Sequence, residues 1–170
     1  MSDGIKICDY RLAGRHVVLN PSVRLLCQRP YPGHPKGCPN FGRQEGCPPS
    51  APMFDAVIDC SKAILVKWAE YDLEAHRQRM WARHPRWSKR QAECCLYWQG
   101  RVESKLEDRV AAYGAVNLFG PNRIAGGLYV TYRPEALGVD VTATMKIIGV
   151  ELEWPPEKIV RKVVLIGETK

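Results

Sequence analysis

Residues 27–60 read CQRPYPGHPKGCPNFGRQEGCPPSAPMFDAVIDC, and this stretch holds four of the chain's seven cysteines and seven of its thirteen prolines. Proline removes backbone donors and glycine gives up chain entropy when ordered, so such a segment has few means of building an apolar core of its own. Something other than burial must hold it. Thiolates around a metal ion or a metal–sulfur cluster are the simplest expectation.

Cys27, Cys38, Cys47 and Cys60 are separated by ten, eight and twelve residues. A zinc ribbon or finger brings its ligands in as close C-x₂₋₄-C pairs, and the ferredoxin run is the compact C-x₂-C-x₂-C; neither spacing occurs here. Single cysteines, each beside proline or glycine, suit a cluster gripped by separate loops. Cys27, Cys38 and Cys47 form the stronger set, with Cys60 or His34 as the fourth ligand or with one iron of a four-iron (4Fe-4S) cluster left open. An open iron would act as a Lewis acid or in sulfur chemistry. Zinc is the alternative cofactor. The opposing reading is a set of reduced thiols in an irregular loop, with Cys60 buried as a small hydrophobe.

The remaining sequence bounds the fold. At 170 residues, 45% of them apolar and five of them tryptophan, the chain is expected to form one domain over 1–170, with 27–60 as a loop lobe. No apolar stretch approaches the length needed to cross a bilayer, and the N-terminus lacks a basic-then-apolar secretion pattern. An odd number of cysteines fits a reducing compartment, so the expectation is a cytoplasmic protein with no membrane partner.

Ile5–Cys8 and Val17–Leu19 are expected as short strands. Ile64, Leu65, Trp68, Tyr71 and Ala75 recur at helical spacing, which predicts a helix from Ser61 that ends before Pro85. Ser88 and Gln91 form a capping box for a second helix. Its apolar stripe reads Ala92, Cys95, Leu96, Gln99, Val102, Leu106, Val110 and Tyr113, with Gln99 as a polar interruption that needs partners. Leu128–Tyr132 alternates as a strand, and Val139–Ile148 reads as a helix capped by Asp140. Val160–Ile166 is a β-branched strand. Together these predict an α/β or α+β domain, a small mixed sheet covered by helices, with an irregular metal-binding loop region.

The formal charge is +7, and from Arg77 to Arg90 six basic side chains occur without a carboxylate. Such a patch attracts a phosphate backbone or an anionic small molecule, and Trp81 and Trp87 within it offer stacking surfaces. The plainer reading is a solubilised helix end. No Walker A loop, dinucleotide fingerprint, Gly-x-Ser-x-Gly elbow or His-Glu-x-x-His motif occurs.

Gly37-Cys-Pro-Asn-Phe-Gly42, Gly46-Cys-Pro-Pro49 and Ala51-Pro-Met53, followed a hundred residues later by Arg133-Pro-Glu-Ala-Leu-Gly-Val-Asp-Val141, carry a family likeness. The pattern resembles that of small cysteine-rich predicted metal-binding proteins of bacteria and archaea, with their Cys-Pro-x-aromatic-Gly, Cys-Pro-Pro and Arg-Pro…Gly-Ile-Asp-Val stretches. The resemblance implies Cys27, Cys38 and Cys47 as metal or cluster ligands, and Arg133 and Asp140 as fixed positions near the site. It departs at residues 117–132, where the family's second cysteine-rich insert is missing, so no second cluster is expected. Two functions follow as expectations. One is an iron–sulfur enzyme for sulfur transfer or removal on a nucleotide or nucleic acid, with Gln99, Arg133 and Asp140 at the substrate. The other is a zinc-braced module that binds nucleic acid or protein without catalysis.

Overall fold

The computed structural model describes residues 4–30, 34–112 and 122–170. In chain order the elements are β1 (Ile5–Ala13), α1 (Phe54–Val57), β2 (Ala63–Asp72), α2 (Leu73–Arg83), α3 (Lys89–Ala92), α4 (Gln99–Ala111), β3 (Asn122–Ala125), β4 (Leu128–Thr131), α5 (Val141–Ile147) and β5 (Ile159–Glu168). The strands form one sheet in the order β1-β2-β5-β4-β3, and every neighbouring pair is antiparallel.

The helix expected from Ser61 is a strand over its first half. Ile64, Val66 and Trp68 pack into one apolar cluster, while Ala69 and Tyr71 pack into the other, so alternate residues of β2 serve opposite faces. A strand buried on both sides reads as a nearly continuous apolar run, and its spacing then imitates a helix. Helix begins only where Asp72 accepts a hydrogen bond from the Ala75 N–H at 2.7 Å, and it ends at Arg83, before Pro85.

Val102, Leu106 and Val110 of α4 cover one face of the sheet, against Tyr71, Val130, Val164 and Ile166. The other face is covered by Phe54, Ile58, Leu137, Val139 and Met145. On the β1 side, Lys67 is only 3% exposed and its ammonium lies 3.1 Å from Asp9, its register partner.

The second expected helix is broken in two. The capping box at Ser88 forms as the sequence predicts, but α3 stops at Ala92. A 3₁₀ turn, Cys95–Tyr97, follows, and α4 begins at Gln99. The Trp98 indole donates to the Glu93 carbonyl at 3.2 Å and stacks on Tyr71 at 5.2 Å. These tertiary contacts take the chain out of helix, and Cys95 and Leu96 leave the stripe for solvent. Tyr113 lies outside the described residues. Val17–Leu19 is not a strand but meets Val139 through a single bridge at Leu19. Asp140 caps α5 through the Ala143 N–H at 2.9 Å.

The fold-class expectation is corrected on two points. The sheet is antiparallel rather than mixed, and no metal-binding loop region exists among the described residues, where no group of three or more His, Cys, Asp or Glu side chains is arranged to hold a metal ion. No helix among the described residues is long and apolar enough to cross a membrane.

Candidate functional site

Two surfaces concentrate chemistry: the thiol-bearing lobe and a basic ledge at the end of α2. The lobe starts with a 3₁₀ segment, Pro21–Gln28, that buries none of its residues. Its Arg24 reaches across to the following loop, donating to the carbonyls of Pro49 at 2.9 Å and Ala51 at 2.8 Å, and to the Met53 sulfur at 3.2 Å. Backbone bonds add to this: Cys38 N–H to the Cys27 carbonyl at 2.7 Å, Gly42 N–H to Pro48 at 2.8 Å, and Ala51 N–H to Cys47 at 3.1 Å. Gly37, at φ +81°, lies so close to Cys27 that an added Cβ would sit 2.6 Å from the Cys27 carbonyl oxygen. The loop is thus ordered by an arginine fork and main-chain bonds, which removes the reason for invoking a metal.

The metal readings are corrected accordingly. Among the described residues neither a 4Fe-4S cluster nor zinc has a ligand set, because Cys27, Cys38, Cys47, Cys60 and His34 do not converge as one. Cys60 stands apart, donating weakly to the Ile58 carbonyl and packing against the core; burial, then the charge of Asp55, pushes its thiol up. Cys47 is buried, and the Arg133 guanidinium donates to its sulfur at 3.1 Å. The likeness to cysteine-rich metal-binding proteins falls with the ligand set, as do the iron–sulfur enzyme and the zinc-braced module. Compared with known proteins, the chain matches no family model, no curated protein and no solved structure.

Cys27 and Cys38 line an open cleft of about 580 Å³ together with His34, Lys36 and Arg43. The Cys27 thiol is pushed up by burial and then by the nearby charges of Cys38, Cys47 and Glu135. Burial likewise raises the Glu135 carboxyl, the more so with Asp140 near and despite Lys162. Sequence reading missed both Arg24 and Glu135, since nothing local marks which carbonyls an arginine will reach or which glutamate will be enclosed.

Of the expected substrate residues, Arg133 meets the lobe through Cys47, and Asp140 serves as a helix cap. Gln99 is exposed at the start of α4, where it donates to Glu103 at 3.2 Å. Burial pushes the Glu103 carboxyl up, but the ammonium of Lys162 at 2.6 Å, Gln99 and the charge of Arg133 outweigh it and hold the group low.

The basic ledge differs in detail from the sequence pattern. Arg77 is buried and ion-paired with Glu93, and Lys89 meets Glu157 at 3.2 Å, so carboxylates from elsewhere neutralise these two. Arg79, Arg83, Arg86 and Arg90 remain exposed, and none of the four is ion-paired among the described residues. Beside them His84 stacks on Trp87 at 4.1 Å and 10°, and Trp87 stacks on Tyr97 at 5.5 Å and 25°. Trp81 donates its indole N–H to the Trp87 carbonyl at 2.9 Å, which fixes the turn that carries the stack. Tyr97 entered no sequence expectation, because the helix break that exposes it was not legible.

Proposed function

We propose that the protein binds single-stranded nucleic acid along the ledge formed by Arg79, Arg83, Arg86 and Arg90 and the His84–Trp87–Tyr97 stack. The carrying observation is that stack, set in the exposed basic surface. Guanidinium groups neutralise phosphates in a sequence-independent way, and aromatic faces accept any base. Trp87 already stacks on both His84 and Tyr97, so a base extends the stack from one of these rings. A duplex hides its base faces within the stack and exposes phosphates, sugars and base edges instead, which favours an unpaired strand for a site built on aromatic faces. Nothing in this reading depends on a metal.

The test is fluorescence anisotropy with a labelled oligouridylate. Affinity should fall steeply between ~50 and ~200 mM salt as counterion release is suppressed. The triple change Arg79→Glu, Arg83→Glu, Arg86→Glu should weaken binding further and flatten that slope. Tyr97→Ala should cost about 1–3 kcal/mol, the worth of one stacked base, with little change in salt dependence. Equal affinity in wild type and the triple variant would sink the proposal and leave these arginines as a solvated helix end.

A further inference from the structure

The cleft at the lobe holds two thiols whose backbones are joined directly. The Cys38 N–H to Cys27 carbonyl bond of 2.7 Å pins the two residues side by side. Standard backbone dimensions on either side of this bond keep the two Cα atoms within about 6.5 Å of each other, inside the range a disulfide spans. All seven cysteines are free in this structure, and Cys27 and Cys38 line the same cleft. Gly37 makes the approach possible, since any side chain there would collide with the Cys27–Gln28 backbone.

The walls of the cleft give it a charge preference. His34, Lys36 and Arg43 line it with the two thiols, and no carboxylate does so among the described residues. A cleft of about 580 Å³ accommodates a small ligand, and this one attracts a negatively charged species. Cys27 lies on the 3₁₀ segment, with Cys47 and Glu135 among its neighbours, whereas Cys38 sits on the loop beside Lys36.

We propose that Cys27 and Cys38 are a dithiol pair that reduces small anionic disulfides, of which glutathione disulfide is a member, within the cleft they share. The Cys38 thiolate attacks one sulfur of the disulfide, forming a Cys38–glutathione mixed disulfide and expelling one glutathione thiolate. The Cys27 thiolate then attacks the Cys38 sulfur, forming the Cys27–Cys38 bond and expelling the second glutathione thiolate. The two protons of the protein thiols end on the two leaving thiolates. The protein loses two electrons and the disulfide gains them.

The experiment treats the full reduced chain with glutathione disulfide, counts free thiols and maps the product by peptide mass spectrometry. The expected result is a fall from seven free thiols to five, with Cys27 and Cys38 joined and the count restored by a dithiol reductant. Cystamine, a cationic disulfide, should react roughly ten-fold more slowly, as expected for electrostatic selection at a positive cleft. In the Cys27→Ser variant one glutathionyl group should remain on Cys38. The proposal is overturned if glutathione stays attached to wild-type Cys38, if other cysteines are oxidised first, or if cystamine reacts as fast as glutathione disulfide.

Discussion

The sheet and the thiol lobe are ordered by opposite means. In the sheet, β2 gives alternate side chains to two apolar clusters, and the fold is held by area removed from water. In the lobe, from residue 34 to 50, only Gly37, Cys47 and Pro48 are buried, and order comes from Arg24, a glycine at positive φ and main-chain bonds. Apolar burial is non-directional and tolerates substitution by shape. A polar stitch depends on a few atoms at set distances, so it fails locally and all at once.

Removing core volume should show the first regime. Leu106 is fully buried against β2, and Leu106→Ala should cost about 2–5 kcal/mol. Urea unfolding should show the midpoint lowered, with the amides of β2 and β5 losing protection together. Arg24→Ala tests the second regime. Its expected cost is smaller, roughly 1–3 kcal/mol, and it should appear chiefly as faster hydrogen exchange at Gly42, Cys47 and Ala51, whose amides close the loop. Uniform loss of protection across the sheet in that variant would break the comparison, because the lobe would then belong to the core's cooperative unit.

Glu135 sits where the two regimes meet and gives the smallest effect. Its folded carboxyl keeps its proton to higher pH than the unfolded chain does. As pH rises above about 4.5, its ordinary value, the unfolded state holds fewer protons, so this group lowers stability as pH increases. Glu135→Gln removes that term. The variant should therefore gain on wild type as pH is raised above about 4.5 in paired thermal melts. A gap that stays constant with pH would show that the carboxyl titrates alike in both states.

The sheet was only partly legible in the sequence. Ile5–Cys8, Leu128–Tyr132 and Val160–Ile166 read as strands because their residues are β-branched or alternate, and each lies within a strand or overlaps one. β2 did not, since a strand buried on both faces has no polar side to betray its period. The caps at Ser88 and Asp140 were readable because their partners lie three residues away. Arg24, Glu135 and Tyr97 were not, since their partners or exposure depend on segments far along the chain. The cysteine spacing pointed to a metal for a sound reason, that proline- and glycine-rich chain needs a brace. The brace is an arginine, and a lone arginine carries no spacing signal.

The pair of Asp9 and Lys67 also acts as a ruler for strand pairing. Lys67 is enclosed at the one place where β1 offers it a carboxylate. If β1 slid by two residues in either direction, the pleat would be preserved and every side chain would keep its face, so apolar burial alone would discriminate weakly. Such a slide would set Lys67 opposite Ile7 or Arg11 instead. The first takes the Asp9 carboxylate away from an enclosed ammonium and the second opposes two cations, and each is unfavourable. The ion pair thereby favours the observed alignment of the edge strand over others that the hydrophobic pattern would accept.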